Sequence, residues 1–353
     1  MMKNINKNYK ILEYLFNTSD FFLIKFLRKI IKFNYFLISS KNKKDLAFFY
    51  DLNVNQVSHD FAHYLVQAEE YRRKKKLTNI DIFIIKSKYK VPARMINFSK
   101  SNSVFEVDNR TYEIIFALTR LLKTVKNRVI ITEDFLRKNR LSKRYKYIFP
   151  NGYSDTNPVA CKHGMSKTES NLFYPMFSPS ARSLEIIKTY LKGVKKKVVT
   201  ITIRNSFFLK KRNSNLSAWI KFALYLKKKN YEVIFIPDGM NYSLSDRKKF
   251  RDFIIADYVV WNLQLRTALY EKAFLNCGIL SAPAEVCSMY NQKSKSLIFL
   301  NEKGYPVNYL KHCKEEWGES EKQPWMSNNH KYVYKPDTFE NIKKEFESFL
   351  QKN

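Results

Sequence analysis

From Asp45 onward, hydrophobic and polar positions alternate in two similar series. Leu46 to Leu52 (LAFFYDL) is a short apolar run of the kind that fills a buried strand, and Ile80 to Lys86 (IDIFIIK) and Arg128 to Thr132 (RVIIT) repeat it. Between them, Ser58 to Lys76 and Thr111 to Thr124 carry apolar residues at helical spacing. Strands alternating with helices predict a parallel sheet flanked by helices. A second series starts at Lys197 to Ile203 (KVVTITI), a strand of mostly β-branched residues. Asn215 to Lys228 follows as a helix and Tyr231 to Pro237 (YEVIFIP) as a strand ending at Asp238. The pattern then gives a helix over Ser245 to Ala256, a short strand over Tyr258 to Trp261 and a helix over Leu263 to Leu275. Cys277 to Leu280 and Ser296 to Leu300 read as strands around one more helix, and Thr338 to Leu350 as a closing helix that crosses back to the first domain.

The two series are separated by punctuation. Pro150, Pro158, Pro175 and Pro179 crowd together with Gly152 and Gly164, which marks a linker or long loop. The expected organisation is α/β, two Rossmann-like domains facing a cleft: a basic segment over 1–44, an N-terminal domain over 45–149, a linker over 150–180, a C-terminal domain over 181–337 and a closing helix over 338–353.

The first 44 residues differ in texture. They carry ten Lys and Arg against Glu13 and Asp20, and Asp20 to Ser39 is apolar almost throughout except at Lys25, Arg28, Lys29 and Lys32. Four central cations make a spanning helix costly, at about 2.5 kcal/mol or more each. The segment fits either a helix lying on an anionic membrane surface or one docking its apolar side on the next domain.

Composition narrows the chemistry. All seven glycines lie at or after Gly152, and none are close enough together for a GxGxxG turn or a GxxxxGK[ST] loop. Dinucleotide-binding and P-loop chemistry of those types are therefore excluded. The four cysteines stand apart without a CxxC pair, which argues against a zinc ribbon or a disulfide framework and fits a reducing compartment. With 45% hydrophobic residues and no secretory leader pattern, the expectation is a folded cytoplasmic protein, peripheral at most on the inner membrane face. The net charge of +32 admits an anionic partner. Lysines scattered singly over ordinary helices, and the absence of a zinc-finger, RRM or helix-turn-helix signature, make nucleic acid the less expected one.

Three constellations carry candidate chemistry. The first is the strand end at Ile203, running into Arg204, Asn205 and Ser206 and then Arg212, Asn213, Ser214 and Asn215. Beyond a strand's carboxyl end, a guanidinium is a bidentate partner for a diphosphate or carboxylate. Arg204 reads equally as a surface arginine on a loop, and Asn213, Ser214 or Asn215 as the cap of the next helix. The second is Ser281, Ala282, Pro283, Ala284 and Glu285 after the strand at Cys277. Serine before a proline in the first turn opens a helix whose free amides suit an anion, or simply a structural turn. Glu285 could meet ribose hydroxyls or favour the helix dipole. The third, His59-Asp60-Phe61-Ala62-His63, has the outline of a zinc-binding HExxH. Asp is a methylene shorter than the usual Glu, and no third ligand stands out. Asp60 or His59 serves better as a general base facing the cleft, or Asp60 merely supports the helix start.

The stretch ALYEKAFLNCGILSAPAEVC resembles the nucleotide-sugar half of GT-B glycosyltransferases, in particular the heptosyltransferase group. VVTITIRNS is similar to the corresponding first strand in heptosyl- and fucosyltransferase-like proteins. Arg204, Arg212, Asn213, Ser214, Asn215, Trp219, Pro237 and Asp238 match a pattern of uncharacterised proteins from surface-carbohydrate loci. Tyr50, Asp51, Leu52, Asn53, Asn55, Asp60, Phe61, Leu65, Glu69, Arg72 and Arg73 match their amino-terminal part. The likeness covers about residues 45 to 85 and 195 to 300. It departs from the heptosyltransferase turn at Ala282, where that group has glycine, and at Glu285, where histidine often stands. The resemblance implies transfer of a sugar from a nucleotide-diphosphate donor to a glycan or lipid-linked acceptor in polysaccharide biosynthesis. The donor would lie on Arg204, Asn205, Arg212, Asn213, Asp238 and Ser281 to Glu285. No DxD motif is present, so no metal and no separate cofactor are expected. A GT-B-like protein that binds a nucleotide or partner without transfer is the alternative, and a basic nucleic-acid-binding protein a second one.

Overall fold

The computed structural model describes residues 44–86, 104–161, 176–206, 210–237, 248–291, 293–301 and 327–352. The basic segment expected over 1–44, except for Lys44, and Asp238 lie outside these residues.

The first unit is a four-stranded parallel sheet of β1 (Leu46–Asp51), β2 (Ile80–Lys86), β3 (Val125–Thr132) and β4 (Tyr147–Phe149), in the order β3-β2-β1-β4. Its helices are α1 (Phe61–Lys74), α2 (Val104–Arg110), which runs on as a π-turn over Thr111–Phe116, and α3 (Glu133–Asn139). Alternation along β1 explains its unbroken apolar run. Leu46, Phe48 and Tyr50 join one buried cluster with Phe61 and Leu65 of α1. Ala47 and Phe49 join another with Phe83, Leu136, Tyr145 and Tyr153. A strand covered on both faces has no place for an exposed side chain.

The second unit has six parallel strands: β5 (Lys197–Thr202), β6 (Tyr231–Ile236), β7 (Ile254–Ile255), β8 (Leu275–Ile279), β9 (Ser296–Phe299) and β10 (His330–Val333). Their order, β10-β9-β8-β5-β6-β7, is the doubly wound arrangement of dinucleotide-binding folds. The helices are α4 (Ala181–Tyr190), α5 (Leu216–Lys228), α6 (Leu263–Lys272), α7 (Ala282–Ala284), continued by a π-turn over Glu285–Met289, and α8 (Phe339–Lys352). Val199, Ile201 and Phe235 face Trp219 and Phe222 of α5 and Phe346 of α8, whereas Val198, Ile234 and Ile236 fall on the opposite face with Leu269 of α6. The two-sheet α/β architecture expected from the sequence is present.

Several elements differ from expectation. Of the helix expected over Ser245 to Ala256, Lys248 and Lys249 are helical among the described residues; the chain then turns into β7, because Ile254 and Ile255 pair with Ile234 and Phe235 at the sheet edge. Tyr258 to Trp261 is not a strand: a 3-10 turn spans Asp257–Val259. The helix expected over Thr111 to Thr124 lies earlier, as α2 and its π-turn, and Val125 already belongs to β3. The closing helix packs against α5 rather than on the first unit, with Ile342, Phe346 and Phe349 in the core of the second. Asp337 fixes its entry by accepting from Trp219 Nε1 and from the Asn215 amide, both at 2.8 Å.

The units meet along a shared core. One buried cluster holds Phe48, Phe61 and Leu121 of the first unit together with Phe177, Leu263 and Tyr290 of the region that follows. The Ser178 amide donates to Leu121 O at 2.9 Å, and Gln264 Nε2 of α6 donates to Arg120 O at 2.8 Å.

Candidate functional site

In each sheet the strand order reverses at one place, between β1 and β4 and between β5 and β8, and crevices beyond such strand ends are where open α/β sheets bind ligands. The sequence candidates lie at these two places. After β5, Arg204 is buried, at 7% exposure, and an Asn213 clamp holds it. Arg204 Nη1 and the Ser206 amide both donate to Asn213 Oδ1, and Asn213 Nδ2 returns a bond to Ser206 O at 3.0 Å. Ser214 Oγ accepts from the Arg204 amide at 2.9 Å. Asn213 and Ser214 are thus occupied in shaping the loop, and Asn215 caps α5 by accepting from the Ala218 amide at 3.3 Å. Asn205 is exposed beyond this clamp.

Arg212 links the loop after β5 to the loop after β8, donating from Nη2 to Leu280 O at 3.3 Å. Beyond Leu280, Ser281 stands in extended conformation as the N-cap of α7 without a side-chain cap bond, and Pro283 lies in the first turn. Ala282 is exposed and Ala284 buried. Three α-helical residues pass into the π-turn that begins at Glu285, a widening often found at functional sites. Glu285 Oε1 accepts from Tyr332 Oη of β10 at 2.9 Å. Burial is the main cause that pushes this carboxyl up to about 7, with the charge of Asp60 adding to it and Tyr332 and Arg212 opposing. Gly278 explains why β8 can lie so close to β5: a Cβ there would meet Thr202 O at 2.7 Å.

Across from these loops, the segment after β1 is built around Asp51. Its Oδ1 accepts from the amide and Nδ2 of Asn53 at 2.9 and 2.8 Å, and its Oδ2 from Tyr153 Oη at 3.0 Å. Asn55 is buried and bonds Asp51 O at 2.9 Å. This scaffold delivers His59 and Asp60 to the start of α1. Asp60 occupies the N-cap position without a side-chain cap bond; its Oδ2 accepts instead from Gln56 Nε2 and from Ser58 Oγ, the latter at 2.9 Å. The simple role of capping α1 is therefore not what its carboxylate does. His63, the other histidine of the motif, pairs with Tyr290 Oη through Nδ1 at 2.7 Å and so ties the first unit to the second. Among the described residues no group of three His, Cys, Asp or Glu stands together in a way that could hold a metal ion.

The two switch points face each other across this seam. Asp60 and Arg212 both act electrostatically on Glu285, and Arg266 and Arg110 both act on His59. Burial first, then the charge of Arg266, pushes His59 down to about 4; Asp60 works in the other direction and Arg110 in the same one. His59 is therefore a neutral imidazole near pH 7. Sequence reasoning missed Arg110, Arg266 and Tyr332. Arg266 was detectable, since it shares a face of α6 with Leu263 and Tyr270, and a charge on an apolar helix face needs a reason. Tyr332 had no such signal, because β10 carries no apolar run.

No family model matches the chain, and no curated protein does. Among solved structures, the chain is similar to a family 9 glycosyl transferase from Veillonella parvula DSM 2008, at 10% identity and a TM-score of 0.47, over 89% of this chain and 99% of that one. It is similar to the E. coli ADP-heptose LPS heptosyltransferase II at 9% identity and a TM-score of 0.49, over 88% of this chain and 99% of that one. It is also similar to the E. coli heptosyltransferase WaaC with ADP, at 8% identity and a TM-score of 0.43, over 86% and 99%.

Proposed function

We propose that the chain is a glycosyltransferase that moves a sugar from a nucleotide-diphosphate donor to a glycan or lipid-linked acceptor. One observation carries this reading: the switch point of the doubly wound sheet gathers Arg204, Arg212 and the Ser281 to Glu285 turn, and the opposite switch point presents His59 and Asp60. The donor's diphosphate lies against the two guanidiniums and the backbone amides of the turn, which offset the charge that grows on the leaving group. The acceptor's hydroxyl oxygen attacks the anomeric carbon. The bond from that carbon to the diphosphate breaks, and the electron pair leaves with the phosphate. The hydroxyl proton passes to the neutral imidazole of His59, with Asp60 beside it, and from there to water. In this reading the arginines and amides do the neutralising, so activity survives a chelator.

A thermal-shift screen of UDP, GDP and ADP sugars, followed by a transfer assay on the responding donor, tests the proposal. The expected result is stabilisation by one nucleotide class, turnover, and loss of donor affinity by about tenfold or more in Arg204→Ala. Unchanged donor binding in that variant would sink the site assignment. Stabilisation without turnover would identify a binding protein, and a steep salt slope for a single-stranded oligonucleotide a nucleic-acid-binding one.

A further inference from the structure

Six large hydrophobic side chains stand exposed among the described residues, and four of them fall in one place. Ile186 and Tyr190 lie four residues apart on α4, and so on one face of it. Tyr258 and Trp261 lie in the turn between β7 and α6. Each of the four is between 36% and 51% exposed. Two contacts join the helix to the turn, one at each end. The ring of Tyr190 meets that of Tyr258 edge to face at 4.7 Å. At the other end, the amide of Ser180, the N-cap of α4, donates to Gln264 Oε1 at 2.7 Å. The chain from Tyr258 to Gln264 therefore runs back along α4, and Trp261, midway, comes level with the middle of the helix, where Ile186 stands. Apolar residues exposed singly are ordinary, but a contiguous group marks an interaction surface.

The border of this face indicates what covers it. Arg182, one turn before Ile186, and Lys188, Lys192, Lys195 and Lys196 after it are all exposed, and Glu185 is the one acidic residue from Ala181 to Lys196. Arg120, whose carbonyl accepts from Gln264 Nε2, is exposed at the N-terminal end of α4. A second copy of the chain would bring like charge against like, on molecules that already carry +32. An anionic bilayer suits both components. Tyr and Trp rings, apolar in body and polar at one edge, settle at the level of the headgroups, and Lys and Arg around them meet the lipid phosphates. We propose that the face formed by Ile186, Tyr190, Tyr258 and Trp261 docks on an anionic lipid bilayer, with the rings in the interface and the cations of α4 against the headgroups. α4 then lies along the plane of the membrane. This surface is distinct from the basic segment over 1–44 and does not depend on the transferase reading.

The test mixes the full chain with vesicles of phosphatidylcholine alone or of phosphatidylcholine with phosphatidylglycerol, and separates bound protein by sedimentation. Binding is expected to the anionic vesicles, and it should weaken as salt rises. Tyr190→Ser combined with Trp261→Ser should lower the partition by about tenfold or more, and Arg182→Glu combined with Lys192→Glu by about fivefold or more. All four positions are exposed, so the urea midpoints of both variants should stay near that of the wild type. A second measurement reads Trp261 itself. Lipids with brominated acyl chains quench tryptophans that enter the bilayer, and quenching should be greater in the wild type than in Trp261→Phe, which keeps an aromatic ring and loses the reporter. Equal quenching in the two overturns the proposal, whatever the segment over 1–44 adds to the partition, as does absence of binding to either vesicle. A dimer that the serine pair breaks up while vesicle binding persists also overturns it and gives the face to a second copy. No turnover is measured, so failure here is distinct from failure of the transferase reading.

Discussion

Glu285 and His59 titrate in the reverse of their order in solution, one pushed up to about 7 and the other down to about 4. The signs follow from linkage. Between the ordinary carboxylate range and pH 7 the folded chain holds a proton on Glu285 that the unfolded chain has lost, so this residue makes stability fall as pH rises. Between pH 4 and the ordinary histidine range the folded chain lacks a proton on His59 that the unfolded chain holds, so that residue makes stability rise with pH. The windows overlap around pH 5 to 6, near the ordinary values of both groups, and there the two slopes oppose each other. Relative to wild type, Glu285→Gln should therefore gain stability as pH rises through that window, by at most about 1.4 kcal/mol per pH unit. His59→Gln should do the opposite. Urea unfolding of the three proteins at several pH values checks both signs.

At the scale of elements, the contact between β5 and β8 is the tightest requirement on a side chain. Gly278 pairs with Thr202, and any Cβ must push the Thr202 carbonyl away. Gly278→Ala should cost about 1–3 kcal/mol in denaturant unfolding. A second expectation concerns the entry to α8. Asp337→Ala leaves Trp219 Nε1 and the Asn215 amide without their acceptor and should cost about 1–3 kcal/mol, with a change in tryptophan fluorescence.

The same elements show what was legible in the sequence. β2 and β5 were, because strands covered on both faces must be apolar or β-branched at successive positions, as IDIFIIK and KVVTIT are. β4 and β10 were not: YIF and HKYV are short strands whose identity comes from the neighbours they pair with. β7 was misread as part of a helix for the same reason, since two residues take their conformation from the edge of β6. For the site, the anchor loops at Arg204 and Glu285 were legible as strand-to-helix turns. Arg266 showed in the sequence only as a charge on an apolar helix face, and neither its place nor that of Arg110 relative to His59 could be read there, because both depend on how separate elements pack.

For the whole molecule, charge is the governing quantity. A net +32 on a folded chain is a standing self-repulsion, and bulk salt screens it over about 8–10 Å near physiological ionic strength. The thermal midpoint should accordingly rise from low salt to about 0.15 M, and more steeply with a polyvalent anion such as pyrophosphate. A midpoint insensitive to salt would mean that the lysines are too dispersed for their repulsion to count.

The buried cluster that runs from Phe48 and Phe61 to Leu263 and Tyr290 also has a consequence for synthesis. A chain emerging from the ribosome presents the first sheet and α1 well before the residues that cover their far side exist. Until Tyr290 has been made, His63 has no phenol to bond and the apolar face around Phe61 stays open to water. The nascent chain therefore passes through a long interval with sticky surface, the condition under which chaperones engage and partial chains aggregate. Synthesis of the second sheet ends that interval, when the bond between His63 and Tyr290 can join the two units.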